Sequence, residues 1–195
     1  MDPGKKYEAI VVGTSAGGLY ALSNILTELP AEYPLPIMVV QHRSKDKKEL
    51  LEDILQHKCK IKIKQADEKE KIEKGCVYIA PPDYHLLIET DLTFSLSSDQ
   101  YVSYSRPSID VLFESAAAAY KDTLIGIILT GANNDGAAGI SAIKQYNGLT
   151  IAQSPEEALF PFMPNAAIAT KMVTHIWTLS EIQNFLLALD KNGKT

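Results

Sequence analysis

Residues 9–18 read Ala9-Ile10-Val11-Val12-Gly13-Thr14-Ser15-Ala16-Gly17-Gly18. An apolar, strand-like run stops in a glycine-rich turn, and a helix from about Leu19 to Leu29 follows. The same grammar recurs twice. Ile37-Met38-Val39-Val40 leads into Gln41-His42, and Leu124-Ile125-Gly126-Ile127-Ile128-Leu129 leads into a turn that carries Asp135. Strand signals that alternate with helix signals predict a three-layer, doubly wound α/β fold. Its sheet is mostly parallel and Rossmann-like, with helices on both faces.

Outward from those runs, Pro30, Pro34 and Pro36 break the chain before the second strand. After His42, Ser44 is placed to cap a helix through Leu55, with Leu50, Leu51, Ile54 and Leu55 as its apolar face. Lys60-Ile61-Lys62-Ile63-Lys64 alternates with period two and reads as an edge or near-edge strand, whose lysines discourage further pairing. Cys76-Val77-Tyr78-Ile79-Ala80 is another strand, stopped by Pro81-Pro82. His85–Ile88 and Leu92–Leu96 are joined by only Glu89-Thr90-Asp91, a link short enough for an antiparallel hairpin alone. Helices are expected over Ile109–Tyr120 and up to about Tyr146. Two more are expected to start at Ser154-Pro155-Glu156-Glu157 and at a Ser180 cap, the last running through Leu189. No repeat or linker interrupts residues 1–195, which read as one domain.

The composition is that of an ordinary globule: 46% apolar and 22% charged residues over 195 positions. A net charge of −5 argues against a nucleic-acid surface, which would be basic. The lysines between Lys45 and Lys74 are interspersed with acids, as on a solvated helix and edge strand. Met1–Tyr7 lacks the apolar segment of a signal peptide. No apolar run approaches the ~18 residues needed for membrane insertion. Cys59 and Cys76 show neither metal nor redox spacing and read as buried structural residues, which fits a cytoplasmic protein.

The chemistry lies in the three turns. In an open parallel sheet, ligands bind outside the carboxyl ends of the strands, so Ser15, His42 and Asp135 can converge from distant parts of the sequence. Gly13, Gly17 and Gly18 allow a tight turn that exposes amide hydrogens at a helix N-terminus. Such a site attracts negative charge, whether a bound phosphate or the oxyanion of a tetrahedral intermediate. The loop alone does not choose between them, and Ser15 could also be a simple helix cap.

A dinucleotide fingerprint would place glycine where Ser15 stands and an acid about 20 residues on. The second strand ends instead in Gln41-His42. A histidine at a strand end suits general-base chemistry, and a carboxylate on its far nitrogen would fix its tautomer. Asp135 is the leading candidate for that carboxylate, ahead of Asp110 and Asp83, although it too could merely cap a helix. Among the other histidines, His57 reads as solvated and His175 as a core or strand-end residue. His85 opens the hairpin, either near the site or only shaping the turn.

At these residues the sequence resembles the catalytic domain of the chemotaxis-type protein-glutamate methylesterases, the CheB family. The Gly-x-Ser-x-Gly-Gly loop is similar to the family's nucleophile loop, and Gln41-His42 to its histidine segment. Leu129-Thr130-Gly131 through Asp135-Gly136 resembles its Leu-Thr-Gly-x-x-x-Asp-Gly signature. Tyr78-Ile79-Ala80-Pro81, Arg106-Pro107-Ser108-Ile109-Asp110 and Met163-Pro164 match further, so the likeness runs from Tyr7 to about Leu189.

The resemblance implies a metal-free, cofactor-free serine esterase. Its substrate would be glutamate γ-methyl esters on the cytoplasmic helices of methylated chemoreceptors, with deamidation of receptor glutamines as an associated activity. Carried over by position, Ser15 is the nucleophile, His42 the base and Asp135 the orienting acid. The serine–histidine–aspartate order separates the chain from α/β-hydrolases. Ala16 stands where the family often carries threonine, and Ala132-Asn133 where methionine-glycine is common. Backbone N–H groups of Ala16 and Ala132 are the expected oxyanion donors, and Arg106 a candidate contact for the acidic receptor surface. The receiver domain of two-domain family members is absent from these residues, which leaves a separate receiver domain in trans as one route to control. The reading from a different class is a non-catalytic Rossmann-like module that binds an anion or serves as a scaffold.

Overall fold

A computed structural model describes residues 5–43 and 51–192. Its frame is a seven-stranded sheet of β1 (Ala9–Thr14), β2 (Ile37–Gln41), β3 (Lys62–Gln65), β4 (Cys76–Ile79), β7 (Leu124–Ile128), β8 (Leu149–Gln153) and β9 (His175–Trp177). Their spatial order is β3-β4-β2-β1-β7-β8-β9, and all six pairings are parallel. The remaining strands, β5 (His85–Ile88) and β6 (Phe94–Ser97), form a separate antiparallel hairpin. The doubly wound sheet with one hairpin is therefore present as expected.

A parallel sheet is covered on both faces, so its central strands are apolar throughout rather than alternating. One core joins Ile10, Val12, Ile37, Val39 and Ile127 to α1 (Gly18–Leu26), α2 (Leu51–Gln56) and α6 (Leu179–Asn192). On the opposite face Ala9, Val11, Met38, Val40 and Ile128 pack under α3 (Ile109–Tyr120), α4 (Ala137–Gln145) and α5 (Phe162–Ala169), with the hairpin beside them. Each fully buried Val, Ile or Leu contributes roughly 1.5–3 kcal/mol, so this packing fixes the strand ends firmly in space.

β3 is the outermost strand, with Lys62 exposed and Ile63 buried, and Cys59 and Cys76 are buried free thiols. Of four further expectations, one lies outside the described residues and three change. The expected cap at Ser44, with Leu50, lies outside the described residues. Ile54 is 40% exposed instead of buried. Ser154–Ala158 forms only one turn: the Glu157 carboxylate is taken by the Leu179 amide, and the helix waits until Phe162. Finally, α6 is capped at Thr178, not Ser180. Thr178 Oγ1 accepts the Glu181 amide while the Glu181 carboxylate accepts Thr178 N–H, a reciprocal capping box.

The sheet order reverses at β1, whose neighbours are β2 and β7. This is the switch point where α/β sheets open a crevice. The turns that carry Ser15, His42 and Asp135 leave three adjacent strands, each spaced ~4.8 Å from the next.

Candidate active site

The turn after β1 is held from both sides. Ser15 N–H and Thr14 Oγ1 both donate to Thr130 O (3.0 and 2.9 Å), and His42 N–H donates to Thr14 O (3.1 Å). Gly17 takes φ +81°, a conformation L side chains rarely adopt. A Cβ at Gly18 would collide with Gln41 Oε1. Helix α1 begins with Gly17 as its N-cap and receives no side-chain cap, so Ser15 is not spent on the helix. Its hydroxyl makes no hydrogen bond among the described residues. It borders an open cleft of about 990 Å³ that also touches His42, Tyr20, Leu51, Ile54 and Lys58.

Gln41 joins the first two turns. It is buried, and its Nε2 donates to Ser15 O (2.8 Å) and His42 O (2.9 Å). One side-chain amide thus fixes the spacing between the two backbones.

His42 and Asp135 meet. Nε2 lies 2.7 Å from Asp135 Oδ2, with the Asp135 side chain fully buried and His42 only 12% exposed. Asp135 does not cap its own helix: α4 has Gly136 (φ +98°) as N-cap and no side-chain cap. Its carboxylate reaches across to the start of α3 instead. There Oδ1 accepts Ser108 Oγ (2.8 Å) and Asp110 N–H (3.0 Å), and Oδ2 accepts Ile109 N–H (2.7 Å). Burial alone would raise the Asp135 carboxyl. The hydrogen bonds from His42 and from the Asp110 and Ile109 amides outweigh it and hold the group below the ordinary carboxylate range. An ionised carboxylate only accepts, so in the neutral imidazole Nε2 carries the proton and Nδ1 the lone pair. An imidazole in that tautomer can take a proton at Nδ1.

The other candidates have different surroundings. The expected oxyanion donors, Ala16 N–H and Ala132 N–H, make no hydrogen bond among the described residues. Arg106 donates to Asp83 Oδ1 (2.9 and 2.6 Å), Ser98 O (2.6 Å) and Asp99 O (2.8 Å), and lies over the Tyr101 ring. Its guanidinium straps segment 98–106 to the body of the protein. Asp83 is thereby engaged, and Asp110 serves α4, where it accepts Gly139 N–H (2.7 Å). His85 is buried behind the site. Its Nδ1 accepts Ser108 N–H and its Nε2 donates to Gln100 O. His57 is exposed on its helix end, and His175 stacks on Trp177 at 4.4 Å.

Two contributors escape sequence reading. Gln41 is visible only as the neighbour of His42. Asn133 places its Nδ2 3.4 Å from His42 Nδ1 and its Oδ1 3.2 Å from Asp135 N. The one signal for Asn133 is an Asx residue two positions before a turn acid. Among the described residues no three His, Cys, Asp or Glu side chains are grouped to hold a metal, and no helix is long and apolar enough to cross a membrane.

Residues 10–186 match the family model for CheB methylesterase. The chain belongs to the CheB methylesterase family. A Leptospira interrogans protein, provisionally named protein-glutamate methylesterase/protein-glutamine glutaminase, is 50% identical over 96% of this chain and 97% of its own. The protein-glutamate methylesterase/protein-glutamine glutaminase of Halalkalibacterium halodurans is 36% identical over 91% of this chain, which spans 52% of that longer protein. In three dimensions the chain is similar to the Thermotoga maritima CheB methylesterase catalytic domain. The TM-score is 0.90 at 32% identity, covering 94% of this chain and 99% of that one.

Proposed function

We propose that this CheB-family chain is a cytoplasmic serine esterase that hydrolyses glutamate γ-methyl esters on chemoreceptor helices. The observation that carries the reading is the His42–Asp135 pair at 2.7 Å, which orients the imidazole of a histidine that lines the same cleft as Ser15. Ser15 Oγ attacks the ester carbonyl carbon as its proton passes to His42 Nδ1. The resulting imidazolium is stabilised by Asp135.

The amides of Ala16 and Ala132 are assigned to the oxyanion, a role in which only the backbone acts. Collapse of the tetrahedral intermediate breaks the bond to the methoxy oxygen, which leaves as methanol with the His42 proton. Water then attacks the acyl-enzyme with His42 again as base, releasing glutamate and restoring Ser15. A receptor glutamine would follow the same path and release ammonia, which accounts for the glutaminase half of the relatives' names. Arg106 enters this scheme as the strut of segment 98–106.

A pure anion-binding module would have no use for an oriented imidazole and a buried carboxylate. A fluorophosphonate probe separates the two readings, since it forms a covalent bond only with an activated hydroxyl. Labelling of wild-type protein at Ser15, absent in His42→Ala, is the expected result. An unlabelled wild-type protein would overturn the esterase reading.

A further inference from the structure

Within this reading, we infer that Asn133 is a positioning residue for the base: its side-chain amide donates to His42 Nδ1 and keeps that nitrogen unprotonated until Ser15 delivers its proton. The orientation of the amide follows from chemistry. Oδ1 accepts the Asp135 backbone N–H at 3.2 Å, a bond the NH2 end could not make. Nδ2 therefore faces His42 Nδ1 and Ser105 Oγ, each at 3.4 Å. An N–H pointed at a lone pair favours the neutral imidazole and opposes the imidazolium, in which two donors would confront each other.

Among the described residues, Lys58 lines the same cleft as His42. Asp135 is bonded to Nε2, and Asp110 stands behind Asp135 on α3. The adjacent Arg43 is occupied by Glu52 and Ala80 O. Only Asn133 addresses Nδ1 among the described residues. The contact also ties the base to segment 98–106 through Ser105, whose neighbours Ser103 and Tyr104 both have positive φ.

The test is the pH dependence of fluorophosphonate inactivation in wild type, Asn133→Gly and Asn133→Asp. Glycine removes the donor, and aspartate keeps the shape while replacing the donor with an acceptor. The acid limb of the profile should move to higher pH in the order wild type, N133G, N133D. The aspartate variant should shift by about one pH unit, a tenfold change in proton affinity. A purely structural role would lower the rate equally at every pH, and that result, or an unmoved limb, overturns the inference. If N133D does not fold, as judged by circular dichroism, the N133G limb decides alone. Ser15-dependent labelling with unshifted limbs rejects only the role of Asn133. Labelling that survives in Ser15→Ala rejects the triad beneath it.

Discussion

Asp110 and Asp135 exchange helix ends: Asp135 accepts the first amides of α3, which contains Asp110, and Asp110 accepts an amide of α4, which follows Asp135. Asp135 precedes α4 yet bonds the first amides of α3, whereas Asp110 sits in the first turn of α3 and accepts Gly139 N–H of α4. Capping of this kind contributes ~1 kcal/mol per helix. The larger consequence is rigidity, because Asp135 cannot move without unsealing α3, and so His42 meets a fixed partner. Burial pushes the Asp110 carboxyl well above its usual range. The Gly139 amide opposes this, and the nearby Asp135 charge adds to it.

Asp135→Asn should damage both chemistry and fold. One acceptor oxygen would face the four donors that two now satisfy, and the new NH2 would oppose an N–H. The expected stability loss is about 1–3 kcal/mol, read from urea unfolding. The rate should fall by about 10⁴, the effect the corresponding change has in serine proteases, where it imposes the wrong histidine tautomer.

The two acids should pull stability in opposite directions as pH changes. Asp135 is depressed in the fold, so its contribution is present above the unfolded value of ~3.9 and is lost as pH falls through the lower folded value. Asp110 is raised, so its contribution is present at low pH and is lost as pH climbs from ~3.9 toward its higher folded value. Urea midpoints recorded between pH 3 and pH 7 check both signs. Asp135→Asn should flatten the acid side, and Asp110→Asn should remove the decline on approach to neutrality.

Gln41→Glu should uncouple Ser15 from His42 without touching either side chain. The variant loses the Nε2 donor and sets a carboxylate against two carbonyl oxygens now 2.8 and 2.9 Å from that nitrogen. Fluorophosphonate labelling of Ser15 should fall by about two orders of magnitude, since a misplacement of ~1 Å costs that much.

Gly18→Ala tests the same joint by sterics. A methyl group there meets Gln41 Oε1 and the Thr14 side chain, and overpacking of this kind costs about 1–3 kcal/mol. Thermal melts should show the loss. Labelling should fall along with stability, because the displaced group is the one that spaces the two turns.

Strand polarity is what made the site readable. Once Ala9–Val12, Ile37–Val40 and Leu124–Leu129 are recognised as parallel neighbours, Ser15, His42 and Asp135 must lie at one edge, and the antiparallel hairpin follows from a three-residue link. Contacts set by tertiary packing are not written locally. Glu157 looks like a helix-start residue until its carboxylate is drawn to Leu179, and Thr178 outcompetes Ser180 because Glu181 completes its capping box. Asp135 resembles an ordinary N-cap in sequence, yet its partners at the start of α3 lie 25–27 positions away. Asn133 and Gln41 matter through single amides aimed at distant atoms, which no periodicity encodes.

The most direct test of the central claim is methanol release from a methylated chemoreceptor cytoplasmic fragment, with wild-type and Ser15→Ala protein compared at equal concentration. Wild-type protein should release methanol and Ser15→Ala should release none above background. Equal release by the two proteins would contradict the assignment of Ser15 as nucleophile.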